Sequence, residues 1–96
     1  MKRLISAICV LFFLLPLSAQ ETYQKETFIS SRGDTLQYRL LQPENMKKSE
    51  KYPLVLFLHG AGERGNDNER QLTHGGQMFL NPVNREKYPA FVLAPQ

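Results

Sequence analysis

The sequence contains very little cysteine and no tryptophan. Its one cysteine in 96 residues, Cys9, lies in an apolar N-terminal segment behind bulky Ile8, which argues against lipid attachment there. The rest of the chain therefore has no thiol for a disulfide bond or a thiolate metal site, and its stability must come from a hydrophobic core. No group of His, Asp and Glu has the spacing of a metal site either. We expect neither a metal nor a cofactor.

Long apolar runs are also scarce, and the longest one, at the N terminus, predicts a secretory signal peptide. Lys2 and Arg3 precede an apolar stretch over residues 4–17, and Ser18 and Ala19 supply the small residues of a cleavage site. The stretch is shorter than the ~20 apolar residues of a membrane-spanning helix. We expect residues 1–19 to be removed, residues 20–96 to form the mature chain without a membrane segment, and the product to be secreted or periplasmic.

The mature chain also lacks an excess of charge of either sign. Lys2 and Arg3 account for two of the twelve basic residues, which leaves ten against nine acidic residues. The lysines over residues 47–51 are interleaved with Ser49 and Glu50 in a predicted loop, so they do not form a basic patch. We therefore expect no nucleic-acid partner and no anionic-membrane partner.

Two short stretches near the start of the mature chain predict a β-hairpin. Residues 27–30 and 35–41 have strand composition, and residues 32–34 between them form a turn around Gly33. In the second strand, apolar and polar residues alternate, which predicts one core face and one wet face. The core face would carry Leu36, Tyr38 and Leu40, and the wet face Gln37 and Arg39.

The remaining elements predict a parallel strand pair joined by a helical crossover. Residues 54–58 are continuously apolar and predict a strand buried on both faces, and residues 90–94 predict a second one. Between them, we expect a helix over residues 68–73, another over 77–80 and a third from Asn81-Pro82 through Lys87. One right-handed crossover cannot cover both faces of such a sheet. We therefore expect an incomplete α/β domain.

Between the predicted parallel strands, a histidine and three glycines follow the first strand directly, in "HGAGERG". A glycine-rich loop at the carboxyl end of a buried strand can present backbone N–H groups to a ligand. The loop also matches the pattern G-x-G-x-x-G of dinucleotide sites. We disfavour that alternative, because a hairpin precedes the strand and no acidic residue ends the next strand, which closes in Ala94-Pro95.

The segments "FLHGAGERGNDNERQLTHGGQMF" and "KYPAFVLAPQ" together resemble secreted bacterial α/β-hydrolases. These are described as predicted peptidases, prolyl oligopeptidase-like hydrolases, or feruloyl-esterase and polyhydroxybutyrate-depolymerase-like carboxylesterases. The resemblance runs from about Phe28 to Gln96. It implies the N-terminal part of an α/β-hydrolase fold over residues 20–96, with a leading hairpin followed by strand, oxyanion loop, helix and strand.

The resemblance also implies a role for several residues of the loop. The backbone N–H of Ala61, helped by that of Gly62, would form part of an oxyanion hole. His59, Gly60 and Gly65 would shape the loop. From the residues themselves, we expect Glu63 and Arg64 to hold it too, with Arg64 as a clamp, because a guanidinium fork can bind a carboxylate or several carbonyls; direct substrate contact by Arg64 is the alternative. His74 would end a short helix next to the pocket mouth.

No nucleophile is found beside this predicted oxyanion loop. The serines of the mature chain are Ser30, Ser31 and Ser49, and none lies in a G-x-S-x-G elbow. Asp34 and Asp67 have local explanations in a turn and at a helix start, so no catalytic triad can be assembled. By resemblance, the triad would lie further along a longer chain that hydrolyses an ester or a peptide. The alternative is a secreted non-catalytic remnant or interaction fragment.

Overall fold

The computed structural model describes residues 22–96, so the predicted signal peptide lies outside the described residues. Four strands form one mixed sheet: β1 (Gln24–Ile29), β2 (Thr35–Leu41), β3 (Leu54–Leu56) and β4 (Phe91–Pro95). Their order across the sheet is β1-β2-β4-β3. The β1/β2 and β2/β4 pairs are antiparallel and β3/β4 is parallel, which confirms the predicted hairpin and the predicted parallel pair.

The segment between β3 and β4 is less helical than predicted. It contains two 3-10 turns (Ala61–Glu63 and Arg70–Leu72) and two short α-helices, α1 (Gly76–Leu80) and α2 (Pro82–Lys87). The expected helix over residues 68–73 is therefore a single 3-10 turn. The start of α2 is as predicted, because the Asn81 side chain accepts hydrogen bonds from the backbone N–H groups of Val83 and Asn84.

Gly75 begins α1 in a conformation that other residues resist. Its φ is +102°, and a Cβ atom there would lie 2.9 Å from the ring of Phe57. A side chain at this position would therefore be strained and would also collide with Phe57. This explains why the chain can turn sharply between the second 3-10 turn and α1.

The core lies on one face of the sheet. Its buried residues come from β2, β4, the second 3-10 turn and the residues before β1, and they are Tyr23, Leu41, Leu72, Val92 and Ala94. Phe57 and Phe79 pack against this cluster with their rings edge to face, 5.8 Å apart. The helices α1 and α2 thus cover the core face.

The prediction that the strand at residues 54–58 is buried on both faces is wrong. Leu54, Leu56 and Leu58 are 57–68% exposed, while Val55 and Phe57 are half-buried. β3 is an edge strand of the sheet that residues 22–96 form, and the described residues cover only one of its faces. The continuous apolar composition therefore predicts the strand correctly but does not predict how much of it residues 22–96 bury.

The predicted faces of the hairpin are also wrong. Arg39, expected in water, is 3% exposed, and Leu36, expected in the core, is 42% exposed. The pairing register places Arg39 opposite Ala94 and Leu41 opposite Val92, on the covered face of the sheet. Hydrogen bonds to backbone carbonyls satisfy the buried guanidinium, so a polar residue occupies a position that alternation assigned to water.

Candidate functional site

The glycine loop lies where the two parallel strands end. Residues 59–65 follow β3, and Gln96 follows β4, so both segments lie at the same edge of the sheet. In open α/β sheets, ligands bind outside the carboxyl ends of the strands. This edge is therefore the candidate site.

The centre of the loop is the first 3-10 turn, Ala61–Glu63. The N–H of Glu63 donates to the carbonyl of Gly60 (3.2 Å), and the N–H of Arg64 donates to that of Ala61 (3.4 Å). By contrast, the N–H groups of Ala61 and Gly62 find no protein acceptor among residues 22–96, and both residues are exposed. The first N–H groups of a helical turn have no partner within the turn and are free for a ligand. An anionic oxygen is a suitable acceptor for them.

Glu63 is held within the loop by its neighbours. Its side chain is 15% exposed, and one carboxylate oxygen lies 3.2 Å from Nε2 of His74. The other lies over Gly60, where an added Cβ would approach it to 2.9 Å. The structure thus brings together Glu63 and His74, a pair that the sequence did not predict.

The other histidine, His59, makes its contact within the loop. Nδ1 of His59 lies 2.6 Å from the carbonyl oxygen of Gly60. Because a carbonyl oxygen only accepts, Nδ1 is the donor and carries the proton. A role in holding the loop stays the prediction for this residue.

Arg64 is exposed, and its guanidinium has no hydrogen-bond or ion-pair partner among residues 22–96. The clamp contacts predicted for it are therefore not formed within this part of the chain. Gly65 follows with φ +152°, and an added Cβ there would lie 3.5 Å from Nε2 of Gln96. The contacts to the loop come instead from the side chains of His74 and Gln96, which reach the carboxylate and the carbonyl of Glu63.

A buried polar network fastens the segment that follows the loop to the sheet, and sequence reasoning missed it. Arg39 donates from Nε to the carbonyl of Asn68 (2.6 Å) and from Nη1 to that of Tyr23 (2.7 Å). The Asn68 side chain donates to the carbonyl of Tyr38 (3.1 Å), and Nε2 of Gln71 donates to Oδ1 of Asn68 (2.5 Å). Asn68, Gln71 and Arg39 are all buried. Asn68 and Gln71 lie between the glycine loop and Gly75, and Arg39 lies within a strand. No local pattern marks these three residues as buried, because polar side chains are mostly exposed.

Asp67 lies before the second 3-10 turn, whose N-cap is Glu69, so it does not cap a helix as predicted. Its Oδ1 accepts from the N–H groups of Glu69 and Arg70, both at 3.1 Å, and from Nε2 of Gln96 at 2.8 Å. The hydrogen bond from Gln96 and those from the two backbone N–H groups lower the pKa of Asp67 to about 2. Asp67 is therefore an ionised acceptor at neutral pH.

An apolar cavity of about 580 Å³ lies at the other end of the parallel strands. Its lining includes residues that precede β3 and β4, namely Pro53 and Ala90, together with Val55, Phe79 and Val92. His74 is not among its lining residues, so its place at the mouth of a substrate pocket stays a prediction. Within residues 22–96, no group of three or more His, Cys, Asp and Glu side chains could hold a metal, and no helix is long and apolar enough to cross a membrane.

The geometry separates this loop from a dinucleotide site. In such a site a helix opens within the glycine motif. Here the motif contains only the three-residue 3-10 turn Ala61–Glu63, and α1 begins eleven residues beyond Gly65. An antiparallel hairpin also precedes β3 in the chain.

Comparison with known proteins defines the class of fold. No protein-family model matches the chain, and no curated protein matches it. Among solved structures, the chain is similar to one described as a thermostable esterase, with 40% sequence identity and a TM-score of 0.76. The match covers 82% of this chain and 22% of that esterase, so the chain spans less than a quarter of the esterase's length. The chain has the N-terminal part of an α/β-hydrolase fold of the esterase-like kind, which confirms the predicted fold class.

Proposed function

We propose that the chain is the N-terminal part of a secreted serine hydrolase and supplies half of its oxyanion hole. The likeness to an esterase at 40% identity carries this proposal. It is supported by the free N–H groups of Ala61 and Gly62 at the carboxyl end of β3. In the complete enzyme, a serine attacks the substrate carbonyl, and these N–H groups stabilise the negative oxygen that forms.

The proposed substrate is a carboxylic ester, with a peptide bond as the second choice. The similar solved structure is that of an esterase, which favours the ester. The proposed location is outside the cytoplasm, because the first nineteen residues have the features of a signal peptide.

A second candidate function is a non-catalytic secreted remnant or interaction fragment. Residues 1–96 contain no G-x-S-x-G motif, so the first proposal needs a nucleophile from another segment and this alternative needs none. Under this alternative the oxyanion loop has no chemical role in the chain. The two candidates differ in what lies beyond the codon for Gln96.

The first experiment sequences the source DNA past that codon. The enzyme proposal expects an open frame that encodes G-x-S-x-G, then an acidic residue and a histidine. A verified stop codon favours the non-catalytic alternative. The 96-residue chain itself should not react with a fluorophosphonate probe, and labelling would overturn the assignment of the nucleophile to another segment.

The second experiment removes the backbone N–H of residue 61 from the complete enzyme that the open reading frame encodes. Ala61→Pro deletes the donor, and the extended backbone of Gly60 (φ −82°, ψ 175°) accommodates a following proline. We expect kcat for a p-nitrophenyl ester to fall about 10²- to 10³-fold, as for the loss of other oxyanion donors. The matched control Ala61→Gly keeps the N–H and should retain kcat within a few-fold. Unchanged kcat in Ala61→Pro would remove Ala61 from the oxyanion hole.

A further inference from the structure

Gln96 makes four hydrogen bonds, one to β2, one to Glu63 in the glycine loop and two to residues 67 and 68 just after that loop. Its backbone N–H donates to the carbonyl of Gln37 in β2 (3.0 Å), which anchors the residue to the sheet. Its side-chain Nε2 donates to the carbonyl of Glu63 (3.2 Å) and to Oδ1 of Asp67 (2.8 Å). Its side-chain Oε1 accepts from the N–H of Asn68 (2.6 Å).

These contacts require the amide group of glutamine. The nitrogen Nε2 must donate two N–H groups, one to the carbonyl of Glu63 and one to the carboxylate of Asp67. The oxygen Oε1 must at the same time accept from the N–H of Asn68. A carboxylate of the same shape would keep only the contact to the N–H of Asn68. It would also oppose the charge of Asp67, which is ionised at neutral pH.

The three contacts of the side chain lie at the end of the first 3-10 turn and in the segment that follows it. Glu63 is the last residue of the turn that carries Ala61 and Gly62, and Asp67 and Asn68 lie just beyond it. Arg39 and Gln71 hold Asn68 to the sheet independently. Gln96 is therefore the residue that ties the turn itself to the strand ends.

We propose that Gln96 is a positioning residue, whose side-chain amide sets the orientation of the Ala61 and Gly62 N–H groups. The catalytic consequence rests on the proposed function, but the effect on the loop does not. Gln96 contacts no reacting atom under this proposal and acts through the carbonyl of Glu63 and the carboxylate of Asp67.

The test compares Gln96→Glu with Gln77→Glu in the full chain by ¹H–¹⁵N nuclear magnetic resonance. Gln77 is exposed on α1, so its replacement makes the same charge change away from the loop. At pH 7, Gln96→Glu should shift the amide signals of Ala61 and Gly62 and leave those of Val92 and Leu93 in β4 unchanged. Gln77→Glu should leave all four signals unchanged.

Acidification should then partly rescue the Gln96→Glu variant. The neighbouring carboxylate of Asp67 raises the pKa of the new carboxyl group, which becomes neutral as the pH falls toward 4. Its single O–H can then donate to Asp67 but not also to the carbonyl of Glu63, so the rescue is partial. The Ala61 and Gly62 signals should return toward those of wild type at the same pH. Glu63, His74 and Arg70 also lie around Asp67 or the turn, so each spectrum of the variant is compared with that of the wild-type chain at the same pH.

Two outcomes would overturn the proposal: Ala61 and Gly62 signals in Gln96→Glu that match wild type at pH 7, or shifted signals that acid does not move toward those of wild type. If the variant loses its β4 signals, the wild-type chain decides. The hydrogen bond of Gln96 to Oδ1 of Asp67 and those from the two backbone N–H groups should then hold the pKa of Asp67 below its ordinary value, and an ordinary pKa by titration of its carboxyl carbon would count against these hydrogen bonds and overturn the proposal. Failure of the Ala61→Pro activity test with an intact Gln96 response would reject the oxyanion function alone.

Discussion

Replacing the buried Arg39 with methionine should destabilise the chain much more than the same replacement of the exposed Arg32. The guanidinium is 3% exposed and donates to the carbonyls of Asn68 and Tyr23 at 2.6 and 2.7 Å. Its Nη2 also lies 4.0 Å from the carboxylate of Glu69. Burial lowers the pKa of Arg39, and the carboxylates of Glu69 and Asp67 oppose this effect, so the side chain stays charged at neutral pH.

The magnitude follows from what the substitution leaves behind. Two buried carbonyls lose their donor, and each unpaired group costs about 1–3 kcal/mol. Removal of the buried charge recovers part of its desolvation cost, and Glu69, the carboxylate left behind, is half exposed, so the unpaired carbonyls dominate the net loss of about 2–4 kcal/mol. Since small domains are stable by about 5–15 kcal/mol, this loss would remove a large part of the free energy of unfolding.

The assay is urea unfolding followed by far-ultraviolet circular dichroism. Arg39→Met should lower the free energy of unfolding by about 2–4 kcal/mol, and Arg39→Lys should fall between it and wild type, because one ammonium group cannot replace the guanidinium fork. Arg32→Met is the matched control: its side chain is 87% exposed and pairs with Asp34 at 3.8 Å. That control should stay within about 0.5 kcal/mol of wild type. Equal losses for Arg39→Met and Arg32→Met would refute the reasoning.

Two further predictions concern stability. Gly75→Ala adds a Cβ atom 2.9 Å from the Phe57 ring at φ +102°, and should lower the free energy of unfolding by about 1–3 kcal/mol. The control Gly62→Ala adds a Cβ atom in open space and should lower it less. Equal melting temperatures of the two variants would contradict this prediction. Burial raises the pKa of Tyr23 to about 12, against the opposing charge of Arg85, and its hydroxyl donates to the Gly76 carbonyl at 2.9 Å. The unfolded state loses this proton near pH 10, so the stabilisation is complete below pH 10 and is lost as pH rises to 12, on the order of 2–3 kcal/mol. Urea unfolding at pH 9 to 12 should show this decline in wild type, and an equal decline in Tyr23→Phe would exclude Tyr23 as its source.

The sequence predicted the elements whose local signals are strong. Gly33 in the turn and the strand residues around it marked the hairpin, and Asn81-Pro82 marked the start of α2, because caps and turns depend on neighbouring residues. It also placed the glycine loop at the carboxyl end of a strand. Parallel pairing of residues 54–56 with residues 91–93 followed from the crossover length and was found.

Only the tertiary structure decided which polar residues are buried. Alternation assigned Arg39 to water, but its place in the sheet puts it among carbonyls that need a donor. Gln96 follows β4 as one polar residue among many in the printed sequence. Its importance arises because residues 63, 67 and 68 are brought to it across about thirty positions of the chain.

The sequence by itself therefore determined the strands, the turns and the glycine loop, since each depends on conformational preferences of a few adjacent residues. The tertiary structure decided the faces of the strands, the exposed apolar side of β3 and the hydrogen bonds that hold the loop. Those depend on contacts between distant segments, which a local pattern does not encode.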